Sequence, residues 1–380
     1  MSHPLRIARV IGSLNPGGGI QLHLLRTLQR FDPARFEFRV VCVQGEGKLS
    51  SRYREAGFPP TVLGTSGKLS PIAIWRLARF FRRERIDIAH SHAYRSNTSS
   101  RIAAALAGVP VVIAQEHNTA SGTTCCRWVL NHLLARRSDC LVAVSRAVAD
   151  SHSSFERIPR DKFEVIYNGI VVADYEAPVD RLAKRVELGI EPNAPVIGIV
   201  SRLVPRKNHD VLLRAAPSVL AARPDAVFVV AGAGTRMGVL RRLAATLGIE
   251  PAVRFLGHRD DVPAILATLD VFAFPSDREG LGNVVLEAMA AGVPVVAADA
   301  DGPVLEIVKH GVNGLMVPTG DPEALARGIL EALQPETAGR LRAGSRARAR
   351  DFAIEKTVRA YEALYERLWE QRRVARERRR

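Results

Sequence analysis

The chain has 380 residues, 47% of them hydrophobic and 24% charged, which is the composition of an ordinary globular protein with room for two domains. No apolar run reaches the roughly 18 residues of a membrane span, and MSHPLRIARV has no secretory core, so the expectation is a cytoplasmic protein, soluble or peripheral. The net charge of +15 is uneven (+12 over residues 1–170, −4 over 171–340, +7 over 341–380) and favours anionic partners, among them an anionic membrane at the inner face of the plasma membrane.

Residues 5–12 (LRIARVIG) predict a strand, SLNPGGG a loop, and IQLHLLRTLQRF a helix. Gly17, Gly18 and Gly19 allow close backbone approach at that helix start, a candidate anion or sugar contact. Strands are expected at 36–43 and 60–64. A helix at about 71–84 follows, pairing apolar Ile72, Trp75, Leu77, Phe80 and Phe81 with Arg76, Arg79, Arg82, Arg83 and Arg85. It reads as a core-packed helix with a basic outer face, or as a membrane-surface helix.

The strand IDIAHSH (86–92) places His90 and His92 on one face, and VPVVIA (109–114) runs into QEHNT, setting His117 at a strand's C-terminal end. Strands at 139–145 and 163–170, separated by a helix, close a first domain at 1–172. The three histidines lack a fourth ligand at usable spacing. The four cysteines (Cys42, Cys125, Cys126, Cys140) lack metal-ligand spacing too, so no metal site is expected.

Residues 173–193 read as a linker with a short helix. A second strand–helix series over 194–350 has strands at 196–203, 226–234, 253–258, 270–274 and 293–299, and helices at 322–333, 338–350 and 352–373 end the chain. The alternation predicts parallel sheets. AGVPVV occurs at 107–112 and again at 291–296, an echo of two like halves. Gly232-Ala-Gly234 with Gly238 mimics a dinucleotide fingerprint, but the next strand ends in Gly257-His258-Arg259 with no acid for a ribose, so a nicotinamide enzyme is not expected.

The stretch FPSDREGLGNVVLEAMAA (274–291) organises the second half. A strand ends, a loop holds Gly280, Leu281 and Gly282, and a helix begins near Asn283 and Val284. Backbone amides at such a helix start suit a phosphate or diphosphate. Glu279 and Glu287, eight positions apart, cannot share one helical face and so would grip different parts of one ligand.

PSDREGLGNVVLEAMAAGVPVVA resembles the E-x7-E region of the retaining glycosyltransferases of family 4, which have the GT-B fold. SRLVPRKNHD resembles their G-R-L-x-x-x-K segment, with Ser201 for Gly; the 17–23 loop resembles their GGxER segment, with Gln21 and Leu22 for Glu and Arg; and YNGI resembles their strand ending N-G-[VI]-D, with Val171 for Asp. The resemblance implies an α/β protein of two doubly wound domains facing across a cleft, with residues 351–380 crossing back to the first. It assigns Arg202 and Lys207 to the donor diphosphate, Glu279 to the donor sugar with the amides of Gly280, Leu281 and Gly282, Asn283 and Val284 to phosphate, and Glu287 to the ribose. His117 matches the family's strand-end active-site histidine, and Gly18 and Gly19 lie in the acceptor loop.

The implied reaction is transfer, with retention, from a nucleotide-diphosphate sugar to a saccharide or lipid-linked acceptor of the cell envelope, without metal or other cofactor. A nucleotide-sugar epimerase of the same fold is one alternative. A basic nucleic-acid-binding protein is the other, but neither an RNA-binding motif nor an aromatic platform accompanies the arginines, so no nucleic-acid partner is expected.

Overall fold

Segments such as VFVVA and VFAF are apolar at every position, which suits strands covered on both faces of a parallel sheet. A computed structural model, describing residues 3–15, 19–65, 70–120, 125–300 and 302–378, shows two such sheets. They lie in separate units: Met1–Gly169 with Ile354–Arg380, and Ile170–Ala353.

In the first unit the strands are β1 (Leu5–Ser13), β2 (Phe36–Gly45), β3 (Thr61–Val62), β4 (Ile88–His92), β5 (Val111–Glu116), β6 (Cys140–Ala143) and β7 (Phe163–Val165). They pair in parallel in the order β3-β2-β1-β4-β5-β6-β7. Side chains alternate between two cores. Leu5, Ile7 and Ile11 pack with Tyr361, Leu364 and Tyr365 of the final helix Ile354–Glu377, while Ala8 and Val10 pack with Leu77 and Phe81 of the helix Pro71–Arg83. The latter helix differs from its sequence reading in one respect: Ile72 and Trp75, counted with the apolar face, are 58% and 59% exposed.

The second unit holds β8 (Val196–Val200), β9 (Val227–Ala231), β10 (Val253–Gly257), β11 (Val271–Phe274), β12 (Val295–Ala298) and β13 (Leu315–Val317), in the order β10-β9-β8-β11-β12-β13. Both orders reverse beside their first strand, the pattern of a doubly wound sheet. β13 has only three residues, too few to show a strand period, and was not anticipated.

Residues 173–193 carry two helices, Ala173–Glu176 and Arg181–Glu187, within the second unit. Buried Arg185 anchors them, donating to Asp270 Oδ2 at 2.8 Å and to the Thr268 carbonyl at 3.0 Å. The strand expected over 196–203 stops at Val200, and beyond it the Leu203 amide donates to the Ala233 carbonyl at 3.0 Å.

Candidate active site

In the second sheet β8 and β11 are neighbours, and the winding reverses between them. The crossovers leaving these two strands run in opposite directions, so a crevice opens outside their C-terminal ends. The loop after β8 carries Arg202, Arg206 and Lys207; the loop after β11 carries Glu279 and the glycines. The Asp277 amide donates to the Arg206 carbonyl at 3.1 Å and ties the two loops together.

Lys207 ends a 3-10 turn that begins at Pro205, and it is buried. Its ammonium donates to Glu279 Oε1, also buried, and sits 5.4 Å from the centre of the Phe274 ring. Burial pushes the lysine's proton affinity down, and the Glu279 charge opposes that. Arg202 remains exposed at the rim, while Arg206 is half-buried. Gly282 has φ +90° and directly precedes the helix Asn283–Ala290; having no side chain, it cannot cap the first-turn amides. Glu287 is half-buried in that helix. The structure therefore brings Lys207, Glu279, Arg202 and the start of this helix to one end of one sheet.

In the first unit, His117 follows β5 and is 8% exposed. Its Nε2 lies 3.0 Å from His92 Nδ1, and its Nδ1 is buried with no hydrogen-bond partner among the described residues. Burial, then the positive charges of His23 and Arg9, lower the pKa of its imidazole from 6.5 to about 3. Gly19 directly precedes the helix Ile20–Leu28, whereas Gly18 lies outside the described residues. His23 is fixed by the Gly169 amide, which donates to its Nε2 at 3.2 Å.

Residues 17–174 match the profile of Glycosyltransferase Family 4, and residues 180–350 that of Glycosyl transferases group 1. A D-inositol 3-phosphate glycosyltransferase of Jonesia denitrificans is 32% identical over 306 residues, covering 74% of this chain and 72% of that protein. The chain belongs to the family 4 glycosyltransferases.

A GDP-mannose-dependent monoacylated α-(1-6)-phosphatidylinositol monomannoside mannosyltransferase of Corynebacterium glutamicum is 39% identical over 194 residues. That match is 48% of each protein, so the chain spans about half the length of this relative. Among solved structures, Anabaena HepE in complex with UDP superposes with a TM-score of 0.85 over 95% of this chain and 100% of its own, at 24% identity; this likeness establishes the GT-B fold.

In this member of the family the dinucleotide-like glycines have a packing role. A Cβ on Gly232, at φ +144°, would lie 1.8 Å from the Ser201 carbonyl oxygen, and one on Gly234 would lie 2.3 Å from that of Leu203. These glycines let the 201–203 backbone cross the loop after β9. Sequence reading missed two supports of the site: Phe274 beneath Lys207, and His209, whose Nε2 is 2.9 Å from Ser201 Oγ. The first signal was available, since Phe274 is the last residue of the strand before the glycine loop. Among the described residues no group of three or more His, Cys, Asp or Glu is placed to hold a metal ion.

Proposed function

We propose that this glycosyltransferase moves a sugar, with retention, from a nucleotide-diphosphate sugar to a saccharide or lipid-linked acceptor. The observation that carries the reading is the meeting of Lys207, Glu279 and the Asn283–Ala290 helix start at the point where the second sheet reverses. Breaking the anomeric bond loads negative charge onto the departing diphosphate. Lys207, Arg202 and the amides from Gly280 to Val284 meet that charge, each well-placed donor contributing about 3 kcal/mol. With this much positive charge on the phosphates, the step needs no divalent cation.

Glu279 accepts from donor-sugar hydroxyls once Lys207 turns to phosphate, and Glu287 holds the ribose. In the first unit His117 meets a sugar oxygen, and the loop with Gly18 and Gly19 meets the acceptor. The sugar departs and is attacked on the same face, without a glycosyl-enzyme. The names of the relatives support the substrate class: HepE was crystallised with UDP, and the Jonesia and Corynebacterium proteins act on phosphorylated inositol and its lipids.

A lipid-linked acceptor also fits the exposed face of Pro71–Arg83, where Ile72 and Trp75 stand among Arg76, Arg79 and Arg83. Such a face suits peripheral contact with an anionic membrane. The deciding experiment is a thermal-shift screen of UDP-, GDP- and ADP-sugars, followed by analysis of product anomers with the donor that binds. Absence of stabilisation by every donor overturns the reading, inverted product overturns retention, and a trapped glycosyl adduct overturns same-face attack. A changed sugar without any acceptor would identify an epimerase.

A further inference from the structure

One face of the first sheet changes character along its strands. On β1 the positions of Leu5 and Ile7 lead to Arg9; on β4 Ile88 leads to His90 and His92; on β5 Val111 and Ile113 lead to Gln115, with His117 just beyond. Arg9 is in register with His90, and His92 with Gln115. The helix Ile354–Glu377 covers this face with Tyr361 and Tyr365.

Arg9 is 2% exposed, and among the described residues no carboxylate is one of its partners. Its Nε donates to His92 Nε2 at 3.1 Å, one terminal nitrogen donates to the Tyr365 hydroxyl, and the guanidinium lies 5.3 Å from the centre of the Tyr361 ring. A buried cation without a counter-ion is costly, so its retention calls for a reason beyond packing.

A guanidinium stays protonated and can only donate. That sets the direction of every bond downstream. His92 Nε2 must be bare, so its proton is on Nδ1 and is given to His117 Nε2 at 3.0 Å. His117 Nε2 is then bare as well, and its proton stands on Nδ1, the buried atom with no hydrogen-bond partner among the described residues. The other arm runs the opposite way through its imidazole: Tyr365 gives its proton to His90 Nδ1 at 2.8 Å, and His90 Nε2 donates to Gln115 Oε1 at 3.1 Å. Both chains begin at Arg9, and among the described residues the His90 arm ends on an acceptor while the His117 arm does not.

We propose that Arg9 is a positioning residue which, through His92, holds His117 as the Nδ1–H tautomer, a neutral donor for an oxygen of a sugar substrate. The ligand class rests on the glycosyltransferase reading; the tautomer rests only on the hydrogen bonds of this chain. The low proton affinity of all three imidazoles, set by burial and then by nearby positive charge, keeps the relay neutral at physiological pH. His117 is thus a donor at Nδ1 and no base there.

The test is nitrogen-15 NMR of histidine-labelled full chain at neutral pH. Without added ligand, His92 and His117 are expected with protonated Nδ1 and bare Nε2, and His90 with the opposite tautomer. Arg9→Met is expected to lose the pattern at His92 and His117, whereas Tyr365→Phe disturbs His90 alone. Even if Arg9→Met fails to fold, a wild-type His117 that is Nε2-protonated or an imidazolium overturns the proposal. In donor-sugar hydrolysis His117→Gln is expected to lose about tenfold, the worth of one hydrogen bond, and His117→Asn less, because the asparagine amide can replace Nδ1–H. Equal losses overturn the assignment.

A shift of the His117 Nδ1 proton with UDP-glucose or GDP-mannose, but not with UDP or GDP, supports an oxygen on the transferred sugar. A shift with methyl α-mannoside alone supports one on the acceptor, and a shift with none of these overturns the ligand half. Failure of every nucleotide sugar to bind removes the glycosyltransferase reading and the ligand half with it, while the tautomers are still read independently.

Discussion

Lys207 Nζ and Glu279 Oε1 form an ion pair across 72 positions of sequence because β8 and β11, formed far apart along the chain, are neighbours in the sheet. Each holds the other's charge where little water reaches. The pair keeps a cation and an anion ready at the same strand ends.

Removing one partner leaves the other buried and unpaired. Lys207→Met and Glu279→Gln are each expected to destabilise the second unit by about 3 kcal/mol, and the double variant by clearly less than their sum. Thermal denaturation of the four proteins measures this, and additive losses contradict the coupling. Donor turnover is expected to fall at least about tenfold in each single variant.

Gly232→Ala places a methyl group against the Ser201 carbonyl at a positive φ, so the loop bearing Arg202 must move. A fall in melting temperature together with weaker nucleotide-sugar affinity is expected. Gly248→Ala, at φ +69° in open space, costs only the backbone penalty of about 1–2 kcal/mol and leaves affinity unchanged. Equal effects at the two sites contradict the packing argument.

The exposed face of Pro71–Arg83 leads to a membrane prediction. Co-sedimentation with vesicles containing phosphatidylglycerol is expected to exceed that with neutral vesicles and to weaken with salt. Arg76→Glu with Arg79→Glu should lower the affinity by about 2 kcal/mol or more, at about 1 kcal/mol per basic residue. Trp75→Ala should weaken it without changing the salt slope. Indifference to lipid charge rules out this contact.

His152 links stability to pH. It is buried with Nε2 3.1 Å from the Asn118 carbonyl and Nδ1 3.3 Å from Glu156 Oε2, and with Glu116 nearby. Burial would lower its proton affinity, but Glu116 and Glu156 outweigh burial and raise it from 6.5 to about 9. A raised folded value means the contribution is complete below about pH 6.5, declines above it, and is lost as pH passes about 9. The stability difference between wild type and His152→Gln should shrink over that window; a constant difference refutes the linkage.

Much of the site was legible because its signals are local. A strand, a glycine loop and a helix start are written within the 18 residues FPSDREGLGNVVLEAMAA. Arg9 was passed over although it occupies an inward position between Ile7 and Ile11, where the alternation of β1 calls for an apolar residue. That irregularity was the available signal. Its meaning needed Tyr365, 356 positions away.

By itself the sequence determined two α/β halves of parallel strands, the glycine loops and the charged residues at strand ends, since periods of two and 3.6 residues and turn chemistry act between near neighbours. Tertiary structure alone decided which strands lie side by side, that Lys207 meets Glu279, that Ile72 and Trp75 face outward, and that Arg9 leads to His117. Those outcomes depend on burial shared among distant segments, and residue order records no such distances.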